Sequence, residues 1–164
     1  MTQPKVVSVY AIPMVVLALA LVVGAGYVHA QADPFLGTWK LDVEKSQYRP
    51  GPAPKSQVSV WTATGKAVKI TTKGVGADGK PTSQDTTVRY DGKDYPTIGN
   101  PDYDTTSFRR IDPNTIQVTR KLDGKIVQAA TIAVSADGKT RTITTNGTNA
   151  LGQTINNMSV YERQ

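Results

Sequence analysis

Four arginines stand where strand alternation would turn them inward. Arg110 shares a parity with Thr106 and Phe108, Arg120 with Ile116 and Val118, and Arg141 with Ile143 and Thr145. Arg163 continues the series Ile155, Asn157, Ser159 and Tyr161. In a strand, residues i, i+2 and i+4 lie on one side. Each guanidinium would therefore sit among core-directed neighbours, where an unpaired charge is costly. It needs an inward acid, a tryptophan face, water at a barrel mouth, or an anionic ligand. Glutamate occurs only at Glu44 and Glu162, and most aspartates fall in turns, so internal partners are scarce. The chemistry this suggests is a cavity for an amphiphile with an acid head. Trp39, Trp61, Tyr90, Phe108 and Tyr161 would form its walls. The same arginines could instead end their strands and reach solvent at the rim. The same aromatics could fill a solid barrel.

Other chemistry is largely excluded. The 164 residues contain no cysteine and one histidine, His29. Disulfides, thiolate nucleophiles and cysteine-based metal sites are therefore absent. His29 lies in an apolar N-terminal stretch, so the rest of the chain lacks the residues most used for acid–base and covalent catalysis. No Gly-x-Ser-x-Gly, phosphate loop or metal triad occurs. Asp91, Asp94, Asp102 and Asp104 cluster and could offer oxygens to calcium, but their spacing does not match an EF-hand loop. No catalytic group, cofactor or metal is expected. The net charge of +6 is scattered, with four lysines beside acids in turns and no aromatic RNA-binding motif, so no nucleic-acid partner is expected.

The elements that must position these residues begin after an export signal. Residues 6–28 carry no charge and follow Lys5, and Tyr10–Val23 is a dense apolar core. Small residues follow, with cleavage sites after Ala30 and after Ala32. Residues 1–30 read as a signal peptide, or as an uncleaved anchor, since about 20 apolar residues can span a bilayer. Either way residues 31–164 are expected in the periplasm or outside the cell, with no other membrane contact. These 134 residues hold 20 threonines from Thr38 to Thr154, a composition suited to half-buried strands.

Asp-Gly-Lys occurs four times, at 78–80, 91–93, 123–125 and 137–139. Asp-Gly favours the two-residue hairpin turn in which both central residues need φ > 0. Thr64-Gly65-Lys66 marks a further turn. The runs between turns predict strands over 36–43, 56–63, 67–75, 83–90, 94–98, 104–111, 115–121, 125–134, 139–146 and 154–163. Residues 44–55, with three prolines, read as an extended loop. Sequential hairpins point to an all-β, antiparallel up-and-down meander that closes on itself and removes its edges.

The first strand reads Phe35-Leu36-Gly37-Thr38-Trp39-Lys40-Leu41. Gly-x-Trp at this position resembles the lipocalin signature, and Gly37-Thr38-Trp39 is similar to the start of fatty-acid-binding proteins. The stretch Tyr90–Pro96 through Gly99-Asn100-Pro101-Asp102 resembles secreted bacterial lipocalin-like proteins. The resemblance implies a barrel of 8–10 strands. It also implies that Trp39 closes one end and that Arg141 or Arg163 packs over it. The order Tyr161-Glu162-Arg163 reverses the Arg-x-Tyr that fatty-acid-binding proteins use for a carboxylate, and no lipocalin-type C-terminal helix follows.

The sequence thus leads to a monomeric, exported barrel, not an enzyme, that binds a small hydrophobic or amphiphilic molecule inside. The alternative is an envelope-associated module with a solid core that binds partners through loops such as Pro50–Pro54. An internal cavity below roughly 300 Å³ would weigh against the first reading.

Overall fold

The computed structural model describes residues 33–164 and Thr2. The signal or anchor reading of residues 1–30, the cleavage sites and His29 lie outside the described residues. No helix among the described residues is long and apolar enough to cross a membrane.

Ten strands follow one another: β1 Gly37–Gln47, β2 Ser56–Thr64, β3 Ala67–Val75, β4 Pro81–Val88, β5 Asp91–Ile98, β6 Thr105–Asp112, β7 Thr115–Leu122, β8 Lys125–Val134, β9 Thr140–Thr148 and β10 Thr154–Arg163. Each pairs antiparallel with its sequence neighbours, and β1 pairs with β10, so the meander closes. Closure leaves no exposed edge to template pairing with another chain. The alternation read from sequence holds through the core. Phe108 faces Val118, Val118 faces Ala130, and Ile132 faces Ile143 across successive strands. All of these are buried except Ile143, which is half-buried and packs against the same core.

Three local expectations are corrected. β1 runs to Gln47, not Val43, because a bulge between Asp42 and Gln47 keeps it paired to β10. The Ser46 hydroxyl holds that bulge, donating to Asp42 O (2.6 Å) and accepting from Val160 N–H (2.9 Å). β4 stops at Val88, so Tyr90 lies beyond it, and its pairing with β5 is registered at Asp85–Ile98 and Thr86–Thr97. The Asp-Gly-Lys repeats also divide. Only Asp123-Gly124 has both residues at positive φ (50° and 75°), as a two-residue hairpin turn requires. The other three share a different device, in which the aspartate Oδ1 accepts the lysine N–H two residues on, at 3.0 Å. This local bond suits wider turns at 78–80 and 137–139. At 91–93 it lies within β5, in the bulge between Asp91 and Asp94.

Candidate functional site

One end of the barrel is sealed. Trp39 is fully buried, and its indole N–H donates to Phe35 O at 2.9 Å. Register places Trp39 opposite Arg163, whose guanidinium carbon lies 4.3 Å from a ring centroid of the indole. That guanidinium donates to the carbonyls of Pro34, Leu36 and Gly138, each at 2.6 Å. Gly37 belongs to the same construction. Its φ is +120°, and a Cβ there would come within 2.6 Å of an Arg163 Nη. The Gly-x-Trp spacing therefore leaves room for the arginine that packs on the tryptophan.

Phe35 completes the seal. It has no exposure, and its ring lies 6.2 Å from both Trp61 and Tyr90. The sequence reading missed it, although it continues the inward parity of Gly37, Trp39 and Leu41. Arg110 stands beside it, ion-paired to Asp33 at 2.8 Å, donating to Pro113 O at 2.9 Å, with its charge over Tyr90 and Phe35. Burial, and then the Asp33 carboxylate, raise the pKa of the Tyr90 phenol. Tyr90 and Arg110 face an outer groove of about 430 Å³ with Asp33, Lys66 and Asn114. Trp39, Tyr90, Arg110 and Arg163 therefore do not line the internal cavity, a correction to their expected place. The Phe35 plug stands at their end of the barrel.

The other half of the barrel is hollow. A cavity of about 210 Å³ runs from the barrel middle to the loops at the far end. Trp61, Phe108, Arg120, Arg141 and Tyr161 line it as the sequence suggested. Ile70, Ile132 and Ile143 add an apolar patch, and the loop residues Tyr48, Asn100 and Asp102 edge the opening. The proline-rich segment is part of this rim. Tyr48 Oη bonds Ser159 Oγ (2.8 Å), Arg49 N–H donates to Asn157 Oδ1 (3.0 Å), and Pro54 also lines the cavity.

Arg141 is the unusual group. It is 1% exposed, and register sets it directly opposite Tyr161. Its charge lies 4.9 Å from Trp39, 4.9 Å from Trp61 and 4.7 Å from Tyr161 ring centroids. Those π faces attract a cation. They do not replace hydrogen bonds, and its Nε and Nη1 have no partner. Among the described residues no carboxylate pairs with it. Burial, joined by the charge of Arg163, lowers its pKa from 12.5 to about 9. It remains a cation at neutral pH. Tyr161 beneath it donates to Gln57 Oε1 at 2.7 Å, and burial raises its phenol pKa.

Arg120 sits nearer the opening and is differently placed. It donates to Gln128 Oε1 at 2.9 Å and to Thr145 Oγ1 at 3.4 Å, over the Tyr103 ring. Gln128, its direct cross-strand partner, is buried and also reaches Thr148 O at 3.3 Å. Sequence reasoning missed Gln128, although its i, i+2, i+4 spacing to Ala130 and Ile132 marked an inward amide. The four clustered aspartates go separate ways. Asp91 accepts from Tyr95 Oη, Asp94 pairs with Lys121, Asp102 accepts Ala150 N–H, and Asp104 accepts Asp123 N–H. Among the described residues no group of acids and histidines is arranged to hold a metal ion.

No family model matches the chain, and no curated protein is detectably similar in sequence. Solved structures follow a similar backbone course. Zebrafish ileal bile acid-binding protein complexed with cholic acid superposes with a TM-score of 0.48 at 11% identity, covering 80% of this chain and 99% of that one. A redesigned β-barrel, mFAP1, bound to DFHBI gives 0.43 at 14% identity, covering 79% and 95%. Lobster apocrustacyanin A1 gives 0.41 at 14% identity, covering 82% and 63%. At these values the strand ladder, not the superposition, shows the closed ten-stranded barrel.

Proposed function

We propose that this chain is an exported binding protein that holds a small amphiphilic acid inside its barrel, with the acid head at Arg141. One observation carries the reading: Arg141, whose Nε and Nη1 are enclosed without a hydrogen-bond partner and which no carboxylate neutralises, is among the residues lining a cavity that reaches the loops at one end. A buried charge of this kind is strongly destabilising unless something neutralises it. An entering carboxylate would form charge-assisted hydrogen bonds, the stronger class. The 210 Å³ volume falls under the roughly 300 Å³ at which drug-sized sites begin. A lipid-length ligand is therefore set aside in favour of a short one.

Binding, rather than catalysis, also suits the titratable groups. The buried arginine and tyrosine have pKa values of about 9 and above the ordinary tyrosine value, far from what general acid–base work at neutral pH needs. The alternative, a module binding partners through its loops, keeps the support of the cavity volume, which falls below the roughly 300 Å³ expected of a ligand site. Against it, Pro54 lines the cavity and the preceding Tyr48 and Arg49 bond Ser159 and Asn157 at its rim, while Pro50–Pro52 stay exposed. Export rests on the apolar run at 6–28. The mass of the mature protein from a periplasmic fraction tests it; an intact 17.6 kDa chain in the cytoplasm would count against it.

The binding test uses native mass spectrometry of protein purified from its host, alongside Arg141→Met. A small co-purifying acid, lost in the variant while the fold is retained, is the expected result. Equal ligand occupancy in both proteins overturns the reading.

A further inference from the structure

We infer that the ligand is a short hydroxylated acid, such as a sugar acid of about six carbons, rather than a fatty acid. This rests on the reading of the cavity as an acid-binding site and concerns what occupies the rest of it. At about 210 Å³ the cavity has the liquid volume of about seven waters. A long alkyl chain does not fit that space.

The wall is also wrong for an alkyl chain. Fourteen of the twenty-four lining residues carry a hydroxyl or a side-chain amide. Three amides are held by their oxygens. Gln57 Oε1 accepts from Tyr161, Gln84 Oε1 from Asn100 and Tyr103, and Asn157 Oδ1 from Arg49 N–H. Each is thereby fixed, and among the described residues none of their NH₂ groups donates to another group. An apolar ligand would cover these donors without bonding them, the expensive outcome for a polar group. A ligand rich in oxygen would pair with them. Trp61, Phe108 and Ile70 supply an apolar surface for the C–H face of a sugar.

Charge selects the head group. Arg120 and Arg141 are offset by one lining carboxylate, Asp102, which leaves +1. A carboxylate neutralises that charge. A phosphate ester, at about −1.5 to −2, would exceed it.

The test is calorimetric titration of the full-length protein with galacturonate, gluconate, galactose and hexanoate. At least one sugar acid is expected to bind tenfold or more tightly than both galactose and hexanoate. Gln84→Met should reduce that affinity at least fivefold and leave hexanoate unchanged. Gln57→Met serves the same purpose if the first variant fails to fold. Hexanoate binding as tightly as both sugar acids, in a manner lost with Arg141→Met, overturns the hydroxylated class and leaves the acid site standing. Galactose binding as tightly as the acids overturns the acid site itself. Absence of binding by all three acids overturns both.

Discussion

The two ends of this barrel use the same pair of residue types for different ends. At the sealed end Arg163 lies on Trp39, and at the cavity floor Arg141 lies against Trp39, Trp61 and Tyr161. The difference is in the donors. Arg163 gives hydrogen bonds to three backbone carbonyls, and Arg110 has a carboxylate and a carbonyl. Arg141 has aromatic faces and two nitrogens without partners. An arginine on an aromatic ring is therefore structural or ligand-seeking according to its remaining N–H groups, not according to the ring. That distinction makes the two ends separable by substitution.

The largest effect should come from Trp39→Ala, which removes a fully buried indole that both arginines touch. Large-to-small substitution of a buried tryptophan costs about 3–5 kcal/mol, measured by urea unfolding. Arg163→Ala should follow at about 2–3 kcal/mol, because charge-assisted bonds to Pro34, Leu36 and Gly138 carbonyls are lost together. Neither loss should be matched by Arg141→Met. Removing an uncompensated buried charge is expected to leave the melting temperature unchanged or higher. A sharp fall in stability for Arg141→Met would erase the contrast between the ends. It would make Arg141 a second structural staple.

Arg110→Ala sharpens the contrast from the other side. It breaks a partly buried pair with Asp33 and a bond to Pro113 O, for a loss of about 1–2 kcal/mol. Because Arg110 lies outside the cavity, affinity for an acid ligand should stay within a factor of two while Arg120→Ala weakens it. A tenfold loss with Arg110→Ala would return it to the binding site.

Much of this architecture was legible in the chain. The ten strands followed from turn residues and period-two alternation, and alternation also turned Arg110, Arg120, Arg141 and Arg163 to the inner side. Parity says which face a residue takes, but not how far along the barrel it lies. Tyr90 and Arg110 were thus grouped with Trp61 and Arg141, although Phe35 plugs the end where they sit. Nor does parity show which guanidiniums find carbonyls. The three carbonyls that hold Arg163 come from residues 25 to 129 positions away, and only closure of β1 on β10 brings them together. The Asp-Gly-Lys repeats show a similar limit. One tripeptide supports a tight hairpin, wider turns and a bulge, because strand register, which is not local, decides whether its aspartate takes positive φ or accepts the lysine N–H.

The smallest effect is the most specific to the cavity floor. Burial lowers the Arg141 pKa to about 9 from 12.5. The unfolded chain therefore binds more protons than the folded one above pH 9. Stability rises with pH wherever the unfolded state holds the extra protons. The Arg141 contribution is thus unfavourable at neutral pH and is relieved as pH climbs through 9. Tyr161 acts in the opposite direction, because its raised pKa lets the unfolded chain ionise first above pH 10. Comparing wild type with Arg141→Met removes most of that common background. The stability gap between them should narrow from pH 8 to pH 10, as read by chemical denaturation. A bound acid should reverse the trend. By supplying the missing negative charge it would hold Arg141 protonated and stabilise the wild type below pH 9. A gap that stays constant with pH, with and without the acid, would mean that the aromatic faces alone satisfy this guanidinium.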